Sequence, residues 1–236
     1  MWWGSAQRRP AVTIVGVLAL TAILSCSTRS ISNVDYNPLY TGELSEISVL
    51  GIDPSAGITE EAIVAAFQAD RTVALKPGCS LLLIQSGAMF PDEPMQRELS
   101  KHFRIVPFSG AFDKESTKVN LSKPLRLAAA QGNCDVIACY WGVIETAQQD
   151  LVTKAVSWAP IVGRAVPDET QQMRIRLKFV LVDARTGNWQ MIAPEPFVEK
   201  RASARVNRDS SDQNQISRLK EKAYTALAEQ IAATAQ

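Results

Sequence analysis

Apolar and polar positions follow two different rhythms along this chain, and the change of rhythm divides the fold. Leu81 to Gln85 reads as an apolar run bounded by Gly78 and Gly87, the pattern of a strand buried on both faces. Pro94 to Phe103 puts Met95, Leu99 and Phe103 on one stripe, which predicts a helix. Arg104 to Phe108 predicts a second strand ended by Ser109-Gly110, Pro124 to Ala130 a short helix stopped at Gly132-Asn133, and Val136 to Ile144 a third strand. Strand, helix, strand, helix, strand at this spacing argues for a parallel sheet.

From Met173 the rhythm becomes strict alternation, with Arg174, Arg176 and Lys178 opposite Ile175, Leu177 and Phe179, as expected of a half-exposed antiparallel strand. Ala184 to Asn188 supplies a hairpin turn with Gly187 suited to the left-handed position, and Trp189 to Ile192 and Phe197 to Val206 return beside it. Ile216, Leu219, Ala223, Leu227 and Ile231 recur every three to four residues, a terminal helix with one apolar face. The fold class is therefore α/β, a mixed sheet whose parallel βαβαβ core is followed by antiparallel strands and a C-terminal amphipathic helix.

Ahead of the core, Gly51 to Gly57 is turn-like. Thr59-Glu60-Glu61 opens a helix with a capping Thr and two acids at the positive end of its dipole, and Ile63, Ala66 and Phe67 form its apolar face. Val73 to Leu75 adds a short strand before Lys76-Pro77-Gly78 turns the chain. Between the third and fourth core strands, Leu151 to Val166 is unusually apolar for a connection. Trp158, Ile161 and Val162 are its candidate interface residues; the segment serves either as a partner or membrane-facing surface or as a flap over its own sheet.

The amino terminus changes the picture. Arg8-Arg9 precedes an apolar run from Ala11 to Leu24 of only 14 residues. A spanning helix takes about 20. A cationic head, a short apolar core and small residues make a secretory signal. Ile23-Leu24-Ser25-Cys26 resembles the lipobox of bacterial lipoproteins, in which the Cys is lipidated and becomes the first residue after cleavage; ordinary signal cleavage near Ser25 is the alternative. Ser27, rather than Asp, after that Cys implies the outer membrane by the same resemblance. Residues 1–25 are then the signal, 26–48 a Ser- and Asn-rich tether with a span of roughly 25 Å, and 49–236 a single periplasm-facing domain. Tyr36, Leu39 and Tyr40 are too apolar for a pure spacer, so part of the tether is expected to lie along the domain or a neighbouring subunit.

Cleavage removes two Arg and no acid, taking the formal charge from +1 to about −1. That balance gives no support for nucleic-acid binding. Export makes disulfides possible. Cys79 and Cys134 each stand just before a predicted strand; if those strands are parallel neighbours, a bridge would close a loop of over 50 residues and contribute about 4 kcal/mol. Two reduced, buried thiols are the alternative, and Cys139, within its strand, is expected to pack as a small hydrophobe.

Little in the chain points to chemistry. With His102 as its single His and no paired Cys or carboxylate spacing, it offers no metal site, and it has neither a Walker loop nor a dinucleotide glycine fingerprint, so no cofactor is expected. Ser86 is the best nucleophile candidate because it sits at the carboxyl end of the first core strand, where open α/β sheets gather ligands, with Asp92, Glu93 and His102 downstream. It lacks the Gly-x-Ser-x-Gly elbow, and a strand-ending turn explains it equally well.

Several stretches, taken in order, resemble a known group. Gly132-Asn133-Cys134-Asp135-Val136-Ile137 leading to Gly142-Val143-Ile144, and Leu181-Val182-Asp183-Ala184-Arg185-Thr186-Gly187, are similar to the small periplasmic lipoproteins related to the curli secretion subunit, the Pel ring lipoprotein, the penicillin-binding-protein activators and the amino-terminal domain of TolB. The resemblance covers roughly residues 79–233. Leu151 to Val166 is too short and too broken by Pro160 and Gly163 to supply the spanning hairpins of a secretion pore. The resemblance implies a non-enzymatic, lipid-anchored envelope protein that binds protein partners or assembles with itself. A lipid-anchored hydrolase and a periplasmic small-molecule binder are the alternatives.

Overall fold

A computed structural model describes residues 29–34, 39–69, 72–112, 120–149, 156–160, 171–201 and 208–235. In chain order its elements are β1 (Arg29–Ser30), α1 (Glu46–Leu50), α2 (Glu60–Gln68), β2 (Ser80–Gln85), α3 (Glu93–Ser100), β3 (Arg104–Phe108), α4 (Ser122–Gln131), β4 (Val136–Gln149), β5 (Val156–Pro160), β6 (Gln171–Asp183), β7 (Trp189–Ile192), β8 (Phe197–Arg201) and α5 (Arg208–Ala233). A 3-10 turn, Ile31–Asn33, follows β1 directly.

The eight strands form one mixed sheet in the order β3-β2-β4-β6-β7. β2 runs parallel to both β3 and β4, and β4 then pairs antiparallel with β6 from Val136↔Asp183 to Ala147↔Gln172. β4 is longer than its parallel partner, so its free edge beyond Tyr140 is filled in turn by β1, at Val143 and Ile144, and by β5. β7 and β8 divide the outer edge of β6 in the same way.

Period-two alternation sorts the side chains onto two faces. Leu81 and Leu83 join Met95 and Leu99 of α3 and the stripe Leu219, Ala223, Leu227 and Ile231 of α5 on one face. Leu82 and Ile84 join Val49 of α1 and Leu125 and Ala129 of α4 on the other. All four residues Leu81 to Ile84 are at most 1% exposed. At about 1.5–3 kcal/mol for each fully buried aliphatic side chain, this short strand is a principal source of stability.

The mixed α/β architecture is the expected one, and part of the segment before the core lies along the domain, one of the two placements its apolar residues suggested. Ile31, Val34 and Leu44 are buried at 2, 6 and 3%, and β1 hydrogen-bonds to the central strand. The segment's sparse apolar residues, without a regular period, signalled packing but not which strand would receive it. Val73 and Leu75 are buried without forming a strand. α2 forms as expected, with the Thr59 hydroxyl accepting from the Ala62 amide at 3.3 Å, yet none of its residues is buried.

Candidate functional site: a sealed strand end and an open cleft

The carboxyl end of β2 is built to receive the chain's own amino-terminal segment. Gly87 turns the backbone at φ 77°, and a Cβ there would lie 2.6 Å from a ring carbon of Tyr40. On β4, a Cβ at Gly142 would lie 2.9 Å from Cγ2 of Ile31 and 2.7 Å from Cδ2 of Leu177. The missing side chains let the segment lie directly on the sheet.

Polar contacts complete the seal. The Ser86 hydroxyl accepts from the Leu44 amide at 2.7 Å, and the Ser86 carbonyl accepts from the Ser32 hydroxyl at 2.6 Å. Gln85 donates to the Ser32 hydroxyl at 3.0 Å, and its carbonyl oxygen accepts from the Tyr140 hydroxyl at 2.5 Å and from the Asp92 amide at 2.6 Å. The Asp92 carboxylate in turn accepts from the Tyr224 hydroxyl at 2.6 Å and pairs with Lys220 at 2.9 Å. Lys220 also donates to the Ile31 carbonyl at 3.0 Å. Burial, with the Asp92 charge second, pushes the Tyr140 hydroxyl well above its ordinary pKa. Donors and acceptors in this network are matched, as burial requires.

This arrangement separates the residues that a nucleophilic site would need. Ser86 is fully buried and bound to the segment above it, Glu93 is exposed at the start of α3, and His102 lies at the opposite end of β2, where its carbonyl accepts from the Gly78 amide. No base lies within reach of the Ser86 oxygen among the contacts described. Among the described residues, no three His, Cys, Asp or Glu side chains gather as a metal site.

The cysteines are also apart. The thiols of Cys79, Cys134 and Cys139 are all free. Their strands are the parallel neighbours expected, but Cys134 packs on the α4 face while Cys79 packs on the α3 and α5 face. The arrangement described is the alternative of two reduced thiols. Burial raises the pKa of both thiols. Cys139 is fully buried in mid-strand, packed as a small hydrophobe.

Beyond the end of α4, the same face of the sheet lies open as a cleft of about 960 Å³. Trp141, Val143, Arg176 and Lys178 line it from the sheet, Tyr40, Glu43, Glu46 and Ile47 from one side, and Ala193, Pro194 and Pro196 from another. Lys178 is paired with Glu46 at 2.5 Å, whereas Arg176 reaches Glu145 only at 3.9 Å and is 56% exposed. Aromatic and proline walls around a loosely held guanidinium suit an extended ligand with an anionic group.

Among the candidate interface residues, Trp158 is carried on β5, opposite Ala147 of β4, while Ile161 and Val162 lie outside the described residues, as do residues 1–25 and Cys26. Sequence reasoning missed Gln85, Tyr140 and Lys220. Each left a signal, since each is a polar group within an otherwise apolar run or stripe.

The features together define a class: a small mixed α/β domain sealed by its own amino-terminal segment, in which no described helix is long and apolar enough to cross a membrane. The chain belongs to the YafT bacterial lipoprotein family, whose model matches residues 45–234. It is thus a bacterial lipoprotein, held by lipid at a membrane of the cell envelope. No curated protein matches the chain.

Proposed function

We propose that this lipoprotein is a non-enzymatic component of the outer membrane, anchored through acyl chains on Cys26, that binds envelope proteins or further copies of itself. The observation that carries the reading is the sealed strand end. The crevice where an open α/β sheet ordinarily handles small ligands is covered by Ser32, Tyr40 and Leu44, so outer surfaces are what remain for recognition. The likeness to the curli-secretion and penicillin-binding-protein-activator group supports an assembly role, and Ser27 supports the outer membrane. Trp158, Ile161 and Val162 are the contact residues of this reading.

The test is the solution mass of the purified lipoprotein in detergent, by light scattering over a range of concentrations. A defined oligomer that Trp158→Asp dissolves supports self-assembly. A monomer at every concentration refutes it and leaves heterologous partners, which crosslinking in cells would reveal. Density-gradient separation of membranes tests the location, with Ser27→Asp expected to move the protein to the inner membrane.

The open cleft favours a second reading, capture of a periplasmic small molecule or peptide end by Arg176 between the walls of Tyr40, Trp141 and Pro194. Thermal-shift screening would expose it through mass action, and Arg176→Ala should abolish any shift found.

A further inference from the structure

α2 lies on the surface of the domain. None of its nine residues is buried, and Phe67 is 88% exposed. A helix of this length is marginal in water by itself, because nucleation costs more than a few backbone bonds return. Ile63, Val64 and Phe67 stand at i, i+1 and i+4 and so share one face, and Ile52 and Ile58 are exposed just ahead of it. Among the described residues, seven of the eleven exposed large apolar side chains fall within residues 39–67. The exposed apolar side chains thus concentrate in the stretch that follows the amino terminus.

The position of the anchor indicates what covers this face. Cys26, whose lipidation the inference assumes, precedes Arg29 by three residues, and three extended residues reach only about 10 Å. Arg29 is fixed in the sheet opposite Ile144. The bilayer consequently lies against the side of the domain where β1 enters. Ile47, early in the exposed apolar series, lines the same cleft as Ser30 of β1, so the series starts close to the anchored end.

Charge selects the kind of lipid surface. α2 carries Glu60 and Glu61 and no Lys or Arg, so the attraction to anionic headgroups that assists many interfacial helices is missing. Glu60 is on the Ile63 and Phe67 side of the helix, one turn earlier, a position that suits the headgroup layer.

We propose that α2 is a second membrane contact, its Ile63, Val64 and Phe67 face lying in the headgroup and acyl boundary of the zwitterionic bilayer that holds the lipid anchor. Binding is by apolar insertion. Two points of attachment then fix which side of the domain faces the periplasm.

The test uses the full lipidated protein in phosphatidylcholine vesicles, with Phe67→Trp as the probe and acyl-brominated phosphatidylcholine as the quencher. The exposure of Phe67 makes that substitution safe for folding. The emission gained over wild type should be blue-shifted and lose at least about half its intensity to the brominated lipid. Adding Val64→Asp, or replacing much of the lipid by phosphatidylglycerol, should reverse the quenching. Emission typical of water, unquenched, would overturn the proposal, and so would blue-shifted but unquenched emission, which means that a second copy or another protein covers the face. The intact mass of the mature chain reports independently whether Cys26 carries lipid. Loss of the anchor reading is thereby distinguishable from loss of the α2 contact.

Discussion

Replacing Ser86 by alanine is expected to cost stability and no turnover. The Ser86 oxygen, fully buried, accepts from the Leu44 amide at 2.7 Å. Ser86→Ala removes one oxygen, too little to open a sizeable cavity, but it leaves that amide buried without an acceptor. An orphaned buried donor costs about 1–3 kcal/mol. For a chain of this size each kcal/mol corresponds to about 2–4 °C in Tm, so a fall of about 2–12 °C follows. Urea denaturation would give the free energy, and hydrogen exchange at the Leu44 amide would show whether the loss is local to the seal. A panel of ester and peptide substrates completes the assay. Unchanged stability together with loss of a hydrolytic activity would refute the reasoning and restore Ser86 as a nucleophile.

Four other outcomes follow from the same geometry. Lys220→Met should cost about 2–4 kcal/mol in chemical denaturation, because it leaves the Asp92 carboxylate and the Ile31 carbonyl without their cation in a largely buried setting. Gly142→Ala should cost about 1–3 kcal/mol by forcing Ile31 and Leu177 aside, whereas Gly57→Ala, which meets open space, should be close to neutral. Unfolded without reductant, the mature chain should titrate three thiols, Cys79, Cys134 and Cys139; a single thiol would mean that two are bridged. Stability should decline in alkali from the ordinary Tyr pKa of 10 upward. Tyr140 holds its proton more tightly folded than unfolded, so its contribution is complete below that pH and is lost as pH rises, by about 1.4 kcal/mol per unit, a slope that Tyr140→Phe should reduce.

The core of the fold was legible because its signals are local. The apolar run at Leu81, the alternation from Met173, Gly187 in its turn at φ 79° and the α5 stripe each report one element's own environment, and each element formed where its pattern stood. What escaped depends on partners distant in sequence. Ser32 meets Ser86 and Lys220 meets Ile31 across intervals that no period spans, so the apolar residues of this segment suggested packing without showing that Ile31, Val34 and Leu44 belong to the core. β5 was hidden for a related reason, since its apolar residues signalled burial without indicating that β4 would run on to Gln149 and offer it an edge. α2 shows the reverse case. Its cap and periodicity foretold a helix correctly, but periodicity alone cannot say whether an apolar face meets its own domain.

The entry of the amino terminus into the sheet has a mechanical consequence. With the anchor at Cys26, as proposed, a pull on the lipid would reach the domain at Arg29, where the chain joins the central strand opposite Ile144. No slack intervenes between that point and the bonds that Ser32 and Ile31 make to Ser86 and Lys220. Tension on the anchored end is therefore borne first by the two-residue ladder of β1 and next by the polar seal. Loss of those contacts would uncover the carboxyl end of β2, where Ser32 and Leu44 meet Ser86. The domain is in this sense a force gauge with its weakest link at the anchor.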